Sequence, residues 1–326
     1  MLRCGSFCHI QWAGKISSII LVLPFLIKRT LIGLFTLWIV VSLTFVLMRV
    51  MPGGPFDKER KLPAAIERNL LARYKLDGSL FRQYSDYLCD LVHGDLGLST
   101  KYRNRSVNEI IGQSLPASMA LGSLAFVLAL GWGITLGIIA AVKHRHWGDH
   151  LAMMLAVTSI SIPSFVMAPL AILLFALYWC LFPVTGWGSF YHLILPSVCL
   201  ALPYAAYVAR IMRNSMLDVL HQDCIRTARA KGLSEAVVLL KHALKLALLP
   251  VISFSGPLAA NLLTGSLVIE EIFKIPGIGG FFVNGVLNRD VFLVGGVVVI
   301  YSTFLIGFNL LVDVLYTFLD PRVKLA

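Results

Sequence analysis

Six runs of mostly apolar residues, none shorter than 22, decide what this 326-residue chain can fold into. They cover 30–51, 115–142, 150–181, 193–215, 246–269 and 291–318. About 20 residues of helix cross the hydrocarbon core of a bilayer, so each run is long enough to span it once. The chain therefore reads as all-α, a polytopic membrane protein with six transmembrane helices. Its charged fraction of 14% against 58% hydrophobic residues excludes an ordinary soluble domain, where charged residues reach about 25%.

Charge sets the orientation. The linker between spans two and three carries Lys143 and Arg145, and the stretch between spans four and five carries Arg210, Arg213, Arg226, Arg229, Lys231, Lys241 and Lys245. The linker after span three has no Lys or Arg, and the one after span five has only Lys274 and Arg289. Basic loops stay in the cytoplasm, so the expected layout places both chain ends there, with segment 1–29 cytoplasmic or interfacial and 319–326 cytoplasmic. The loops 52–114 and 270–290 then face outward. The net charge of +11 is mostly topological, and with the cations split between two faces nucleic-acid binding is not indicated. The six cysteines form no metal pair or disulfide framework.

The loop 52–114 carries helical patterns. Ile66, Leu70 and Tyr74 recur at helical spacing, as do Leu80, Tyr84, Tyr87, Leu88 and Leu91. A turn is expected at Gly94 to Gly97. Val107, Ile110, Ile111 and Leu115 then give an interfacial stripe that should stop at Pro116. The result is a small cap that either seals the spans or receives a soluble partner. In the second outer loop, Pro276 and Gly277 suit the centre of a type II turn, and Gly279 and Gly280 a close backbone approach. Glu270, Pro276, Gly277 and Gly279 are candidates for an outer gate or a contact with a soluble partner.

The basic segment 216–245 is punctuated as two helices with a fixed elbow. Arg229 and Lys231 favour a helix C-terminus, Gly232 a left-handed closing residue, and Ser234 an N-cap, with Leu233 and Val238 as a hydrophobic staple. Topology alone would explain the cations. An ordered elbow adds the prospect of docking another protein.

Ionisable residues are nearly absent from the spans, with Asp313 the main exception, placed near an end for anchoring. This argues against a proton- or sodium-coupled carrier, which usually places carboxylates or histidines near the midplane. Candidate path residues are Ser159, Ser161, Pro163 and Pro169 in span three and Asn261 and Thr264 in span five. Packing explains such residues equally well.

Six motifs stand in order along the chain: RVMPGGP at 49–55, YKLDGSL at 74–80, GDLGLS at 94–99, RTARAKGLSE at 226–235, EEIFKIPGIG at 270–279 and LLVDVLYTFLDPR at 310–322. Together they resemble the transmembrane subunits of binding-protein-dependent ABC importers, most closely the B-type permease of oligopeptide and dipeptide importers. The resemblance implies the type I transmembrane domain of ABC importers and an inner-membrane location. It also implies a coupling loop in which Arg226, Thr227, Ala228, Gly232, Leu233, Ser234 and Glu235 meet an ATPase. Arg226 stands where the general importer motif has Glu, and Ala228 is the small residue that would pack into the ATPase groove. His242, Leu244 and Lys245 replace the motif's Ile, Leu and Pro, with the proline displaced to Pro250. Implied partners are a second homologous permease, two ABC ATPase subunits, an extracytoplasmic peptide-binding protein and membrane lipid. ATP and magnesium would bind in the ATPases. This chain, which has no P-loop, would bind no cofactor and catalyse nothing. A nickel chelate or glutathione as cargo stays open, as do an autonomous carrier and a membrane scaffold.

Overall fold

A computed structural model describes residues 27–47, 50, 78–102 and 104–319, with the side chains of 316–319 left aside. The tail 1–26, the helix read on Ile66, Leu70 and Tyr74, the motif at 49–55 apart from Val50, and most of that at 74–80 lie outside these residues. So do the closing residues of the last motif, Asp320 to Arg322. Four helices are long and apolar enough to cross a membrane singly: α1 (Ile27–Leu47), α3 (Val107–Val142), α6 (Tyr191–Leu220) and α12 (Val291–Leu319). Two bent pairs bring the candidate crossings to six if each pair counts as one span. They are α4 (Trp147–Ser161) with α5 (Ser164–Tyr178), and α8 (Glu235–Ala247) with α9 (Leu249–Leu263). The short helices are α2 (Leu80–Val92), α7 (Asp223–Ala230), α10 (Leu267–Phe273) and α11 (Ile278–Leu287).

The centre of the bundle is a seam of small residues. Ala125, Ala129, Gly133, Gly137 and Ala141 recur every four residues on α3, placing them on one face. They meet α6, which runs parallel. A Cβ on Gly133 would stand 2.5 Å from the Val208 Cβ and 2.8 Å from the Ala205 carbonyl oxygen. One turn on, a Cβ on Gly137 would stand 2.6 Å from the Met212 Cβ. In lipid, where apolar side chains gain nothing by leaving the solvent, close backbone approach of this kind supplies the dispersion contacts that hold helices together.

Three spans differ from their expected form. Pro116 does not stop a helix: α3 runs straight through it. The apolar stripe before the proline is buried, with Val107 and Ile110 fully so, and that packing outweighs the one hydrogen bond Pro116 removes. Span three is not one rod. Ile162 is extended at φ −87°, ψ 117°, as the residue before a proline tends to be, and α5 leaves α4 at 105°. Span five ends early, at Leu263. Gly265 at φ +103° breaks the helix before α10 begins.

At one end, called here the cap face, the motif GDLGLS makes a tight turn with Gly94 at φ +78° and Gly97 at φ +87°. Leu96, Val107, Ile110, Ile111, Ile278 and Leu293 form a separate small core beneath it. The Asp290 carboxylate, fully buried at the head of α12, ties the turn down. It accepts from the Ser99 hydroxyl, from the amides of Thr100 at 3.1 Å and Lys101 at 3.2 Å, and from the Leu293 amide at 3.3 Å. At the opposite, basic face, Arg29 of α1 pairs with Asp313 of α12 at 3.3 Å, so these two helices run antiparallel.

Candidate functional site

The elbow after α6 forms as its residues dictate. Lys231 caps α7, its amide donating to the Thr227 carbonyl at 3.1 Å, and Gly232 follows at φ +76° with its amide on Arg229 O at 2.9 Å. Ser234 sits at the N-cap of α8 in extended conformation, but its hydroxyl makes no capping bond. The tie across the bend is instead a two-point pair. Arg229 donates from Nε to Glu235 Oε1 at 2.8 Å and from Nη2 to Oε2 at 3.2 Å. Each charge suits its place, a cation at a helix C-terminus and an anion at a helix N-terminus.

One face of α7 is inward. Ile225 and Ala228, three residues apart, are buried in the same core as Met216 and Val219 of α6 and Val238 and Ala243 of α8. This corrects the expectation for Ala228: its methyl packs on its own chain and lets α7 lie close to the bundle, leaving no side chain to enter a partner's groove. The outward face carries Arg226, Thr227, Ala230 and Lys231, and Leu233 is 39% exposed at the elbow.

Above the elbow, α6 is joined to α4 by a buried ion pair that sequence reading missed. Arg213 donates from Nε to Asp149 Oδ1 at 2.6 Å and from Nη2 to Oδ2 at 2.7 Å, and the Arg145 amide adds a third bond at 3.1 Å. Asp149 is 3% exposed. The partners are 64 residues apart, and nothing local in either stretch signals the pairing. The elbow, α6, this pair and α4 thus form one contiguous line ending at the Ile162–Pro163 bend.

The path candidates are not gathered into one cluster. Ser159 and Ser161 return their hydroxyls to Leu155 O and Val157 O, each at 2.8 Å, and Thr264 does the same to Ala260 O at 2.7 Å. Pro163 is exposed at the bend. Asn261 is exposed on α9 and accepts from the Tyr301 hydroxyl at 2.7 Å.

The outer-loop candidates do come together, but inside the protein. Glu270 is 1% exposed, which removes it as a direct contact for a soluble partner. Its Oε1 accepts from the Ser118 hydroxyl of α3 at 2.8 Å and its Oε2 from the Gly279 amide at 2.8 Å, while the Ile278 amide donates to Ser118 Oγ at 2.9 Å. Glu270 and Ser118 thereby cap the first turn of α11, whose own N-cap residue, Gly277, has no side chain to do so. Burial raises the Glu270 carboxyl above its ordinary range, and the bonds from Ser118 and Gly279 pull it part of the way back. No type II turn forms at Pro276–Gly277. Gly277 is extended at φ −95°, ψ 179°, and the left-handed residue is Lys274 at φ +55°. Gly277 is needed for space: a Cβ there would run into the Glu270 carboxylate. Gly279 is equally tight, 2.7 Å from the Leu267 Cα, whereas Gly280 has room. Only Pro276 of the four remains at the surface.

Comparison with known proteins places this architecture. The family described as binding-protein-dependent transport system inner membrane component matches residues 133–325. The chain belongs to this family. As a multi-pass component of the inner membrane, it is 45% identical over 304 residues to the oligopeptide transport system permease protein OppB of Haemophilus influenzae, covering 93% of this chain and 99% of that protein. Against OppB of Escherichia coli K12 it is 46% identical with the same coverage. Against the dipeptide transport system permease protein DppB of Bacillus subtilis it is 46% identical over 301 residues, 92% of this chain and 98% of that one. Among solved structures, the inward-facing MetNI methionine ABC transporter aligns at TM-score 0.52 with 13% identity, covering 65% of this chain and 96% of that chain. An amino acid ABC transporter crystallised with histidines aligns at TM-score 0.50 with 16% identity, covering 64% and 92%. At these identities the structures speak for the fold, which is that of ABC transporter membrane subunits.

Proposed function

We propose that this family member is the B-type permease subunit of a peptide importer, of the oligopeptide or dipeptide class, powered by ATPases on separate chains. The observation that carries the reading is the elbow. A short helix is fixed to the bundle by Ile225 and Ala228, bent by Gly232, and presents a basic face with no chemistry of its own. The relatives above, named for oligopeptide and dipeptide transport, support the cargo class.

In this reading the basic face and both chain ends are cytoplasmic and the cap is extracytoplasmic. Two ATPases bind ATP and magnesium, while this chain holds neither and hydrolyses nothing. A second, homologous permease completes the path, and an extracytoplasmic binding protein delivers peptide to the cap. When the ATPases close, Arg226, Thr227 and Lys231 are drawn with them. Ile225 and Ala228 pass the displacement to α6 and α8, and the Asp149–Arg213 pair passes it to α4. The bend at Ile162–Pro163 turns that displacement into a swing of α5. The peptide then passes between the two permeases, along surfaces that include Ser159, Ser161, Pro163, Asn261 and Thr264.

Reconstitution tests this. In liposomes, the chain with its partner permease, ATPases and binding protein should accumulate labelled peptides of two to six residues only when ATP is present on the ATPase side. The chain alone should give no flux. Peptide movement through the chain alone would replace the proposal with an autonomous carrier, and uptake of a nickel chelate or glutathione in place of peptide would replace the cargo.

A further inference from the structure

Between α1 and α12, at the cap end, lies a cleft of about 400 Å³. Val40, Leu43, Thr44 and Leu47 line it from α1, at spacings that put them on one helix face. Val291, Val294 and Val298 line it from α12. The Thr44 hydroxyl is already bonded to Val40 O at 2.7 Å, and the Asp290 carboxylate is turned to Ser99, Thr100, Lys101 and Leu293. The walls are therefore apolar in effect. Seven residues separate Val291 from Val298, so the cleft runs roughly 10 Å along the helices, within the roughly 15 Å of one leaflet.

Arg289 stands at the mouth. Its backbone closes α11 in a Schellman arrangement, with the Asp290 amide on Gly285 O at 2.7 Å and the Arg289 amide on Val286 O at 3.2 Å. The left-handed position of that motif, φ +56° here, is one that glycine fills without strain and a residue with a side chain fills at a steric cost. An arginine at that position places a guanidinium at the rim of an apolar slot. The side chain is exposed and has no carboxylate or hydrogen-bond partner among the described residues.

We propose that the cleft binds a phospholipid of the cap-side leaflet, acyl chain in the slot and phosphate on Arg289. The guanidinium fork matches a phosphate in two-point geometry, and the phosphates of the cap-side leaflet lie at headgroup level. A helix from another subunit is the competing occupant, and the cross-linking arm of the test below separates the two.

The test uses the assembled importer in nanodiscs of phosphatidylethanolamine and phosphatidylglycerol, doped with a phosphatidylglycerol bearing a diazirine in its acyl chain. After irradiation, label should map to Leu43, Val294 and Val298. Arg289→Gly should lower that label at least fivefold while raising thermal stability slightly, because glycine accepts the left-handed backbone freely. Arg289→Lys should keep most of it. The readout does not depend on which cargo the importer moves. Unchanged labelling in Arg289→Gly would overturn the proposal, as would cross-linking of a Val294→Cys variant to another subunit in place of lipid.

Discussion

Two buried carboxylates, Glu270 and Asp290, hold the cap face, and each does so by accepting hydrogen bonds from a serine and from backbone amides. For Glu270, burial also sets a pH dependence. Its native pKa is raised by burial, so protonation favours the folded state. That contribution is fully present below the unfolded carboxyl value and is lost as pH rises from there through the raised native value. The wild-type protein in detergent should therefore melt at progressively lower temperature across that window. In Glu270→Gln this slope should disappear, although the variant starts about 1–3 kcal/mol less stable because its single carbonyl oxygen cannot accept from both the Ser118 hydroxyl and the Gly279 amide. A melting temperature with the same pH slope in both proteins would show that Glu270 titrates normally. None of this was visible in the sequence. A glutamate beside a glycine-rich loop reads as surface, and its burial depends on Ser118, which lies 152 residues away.

At the scale of helices, hydropathy marked apolar runs that fold as helices or bent helix pairs, but not their shapes. It averages over a window, so it cannot register that Ile162 and Pro163 turn the chain through 105°, or that Pro116 sits harmlessly inside a packed helix. The elbow was legible because its signal is local: a glycine between two helix-forming stretches requires no distant partner. The α3–α6 seam was illegible for the opposite reason, since alanine and glycine in an apolar run look like filler until the facing helix is known. The seam gives a controlled prediction. Gly133→Leu should cost about 1–3 kcal/mol or more, because Val208 and the Ala205 carbonyl leave no room. Gly131→Leu, two residues away with nothing within 4 Å, should leave stability within about 0.5 kcal/mol of wild type. Equal effects in a denaturation assay would mean that helix propensity, and not the seam, sets the outcome.

For the whole molecule, the proposed function makes the chain a passive transmitter, in which the geometry of the elbow links ATP hydrolysis on other subunits to movement of the spans. Gly232 isolates that link, since a Cβ there meets nothing within 4 Å and the only penalty is the backbone angle of +76°. A β-branched residue at this angle strains the turn by about 1–2 kcal/mol without disturbing insertion or the core. The decisive measurement is the number of peptides imported per ATP hydrolysed in the reconstituted importer, wild type against Gly232→Val. The variant should assemble and hydrolyse ATP while its import falls at least tenfold, and import at the wild-type ratio would show that the elbow does not couple the two.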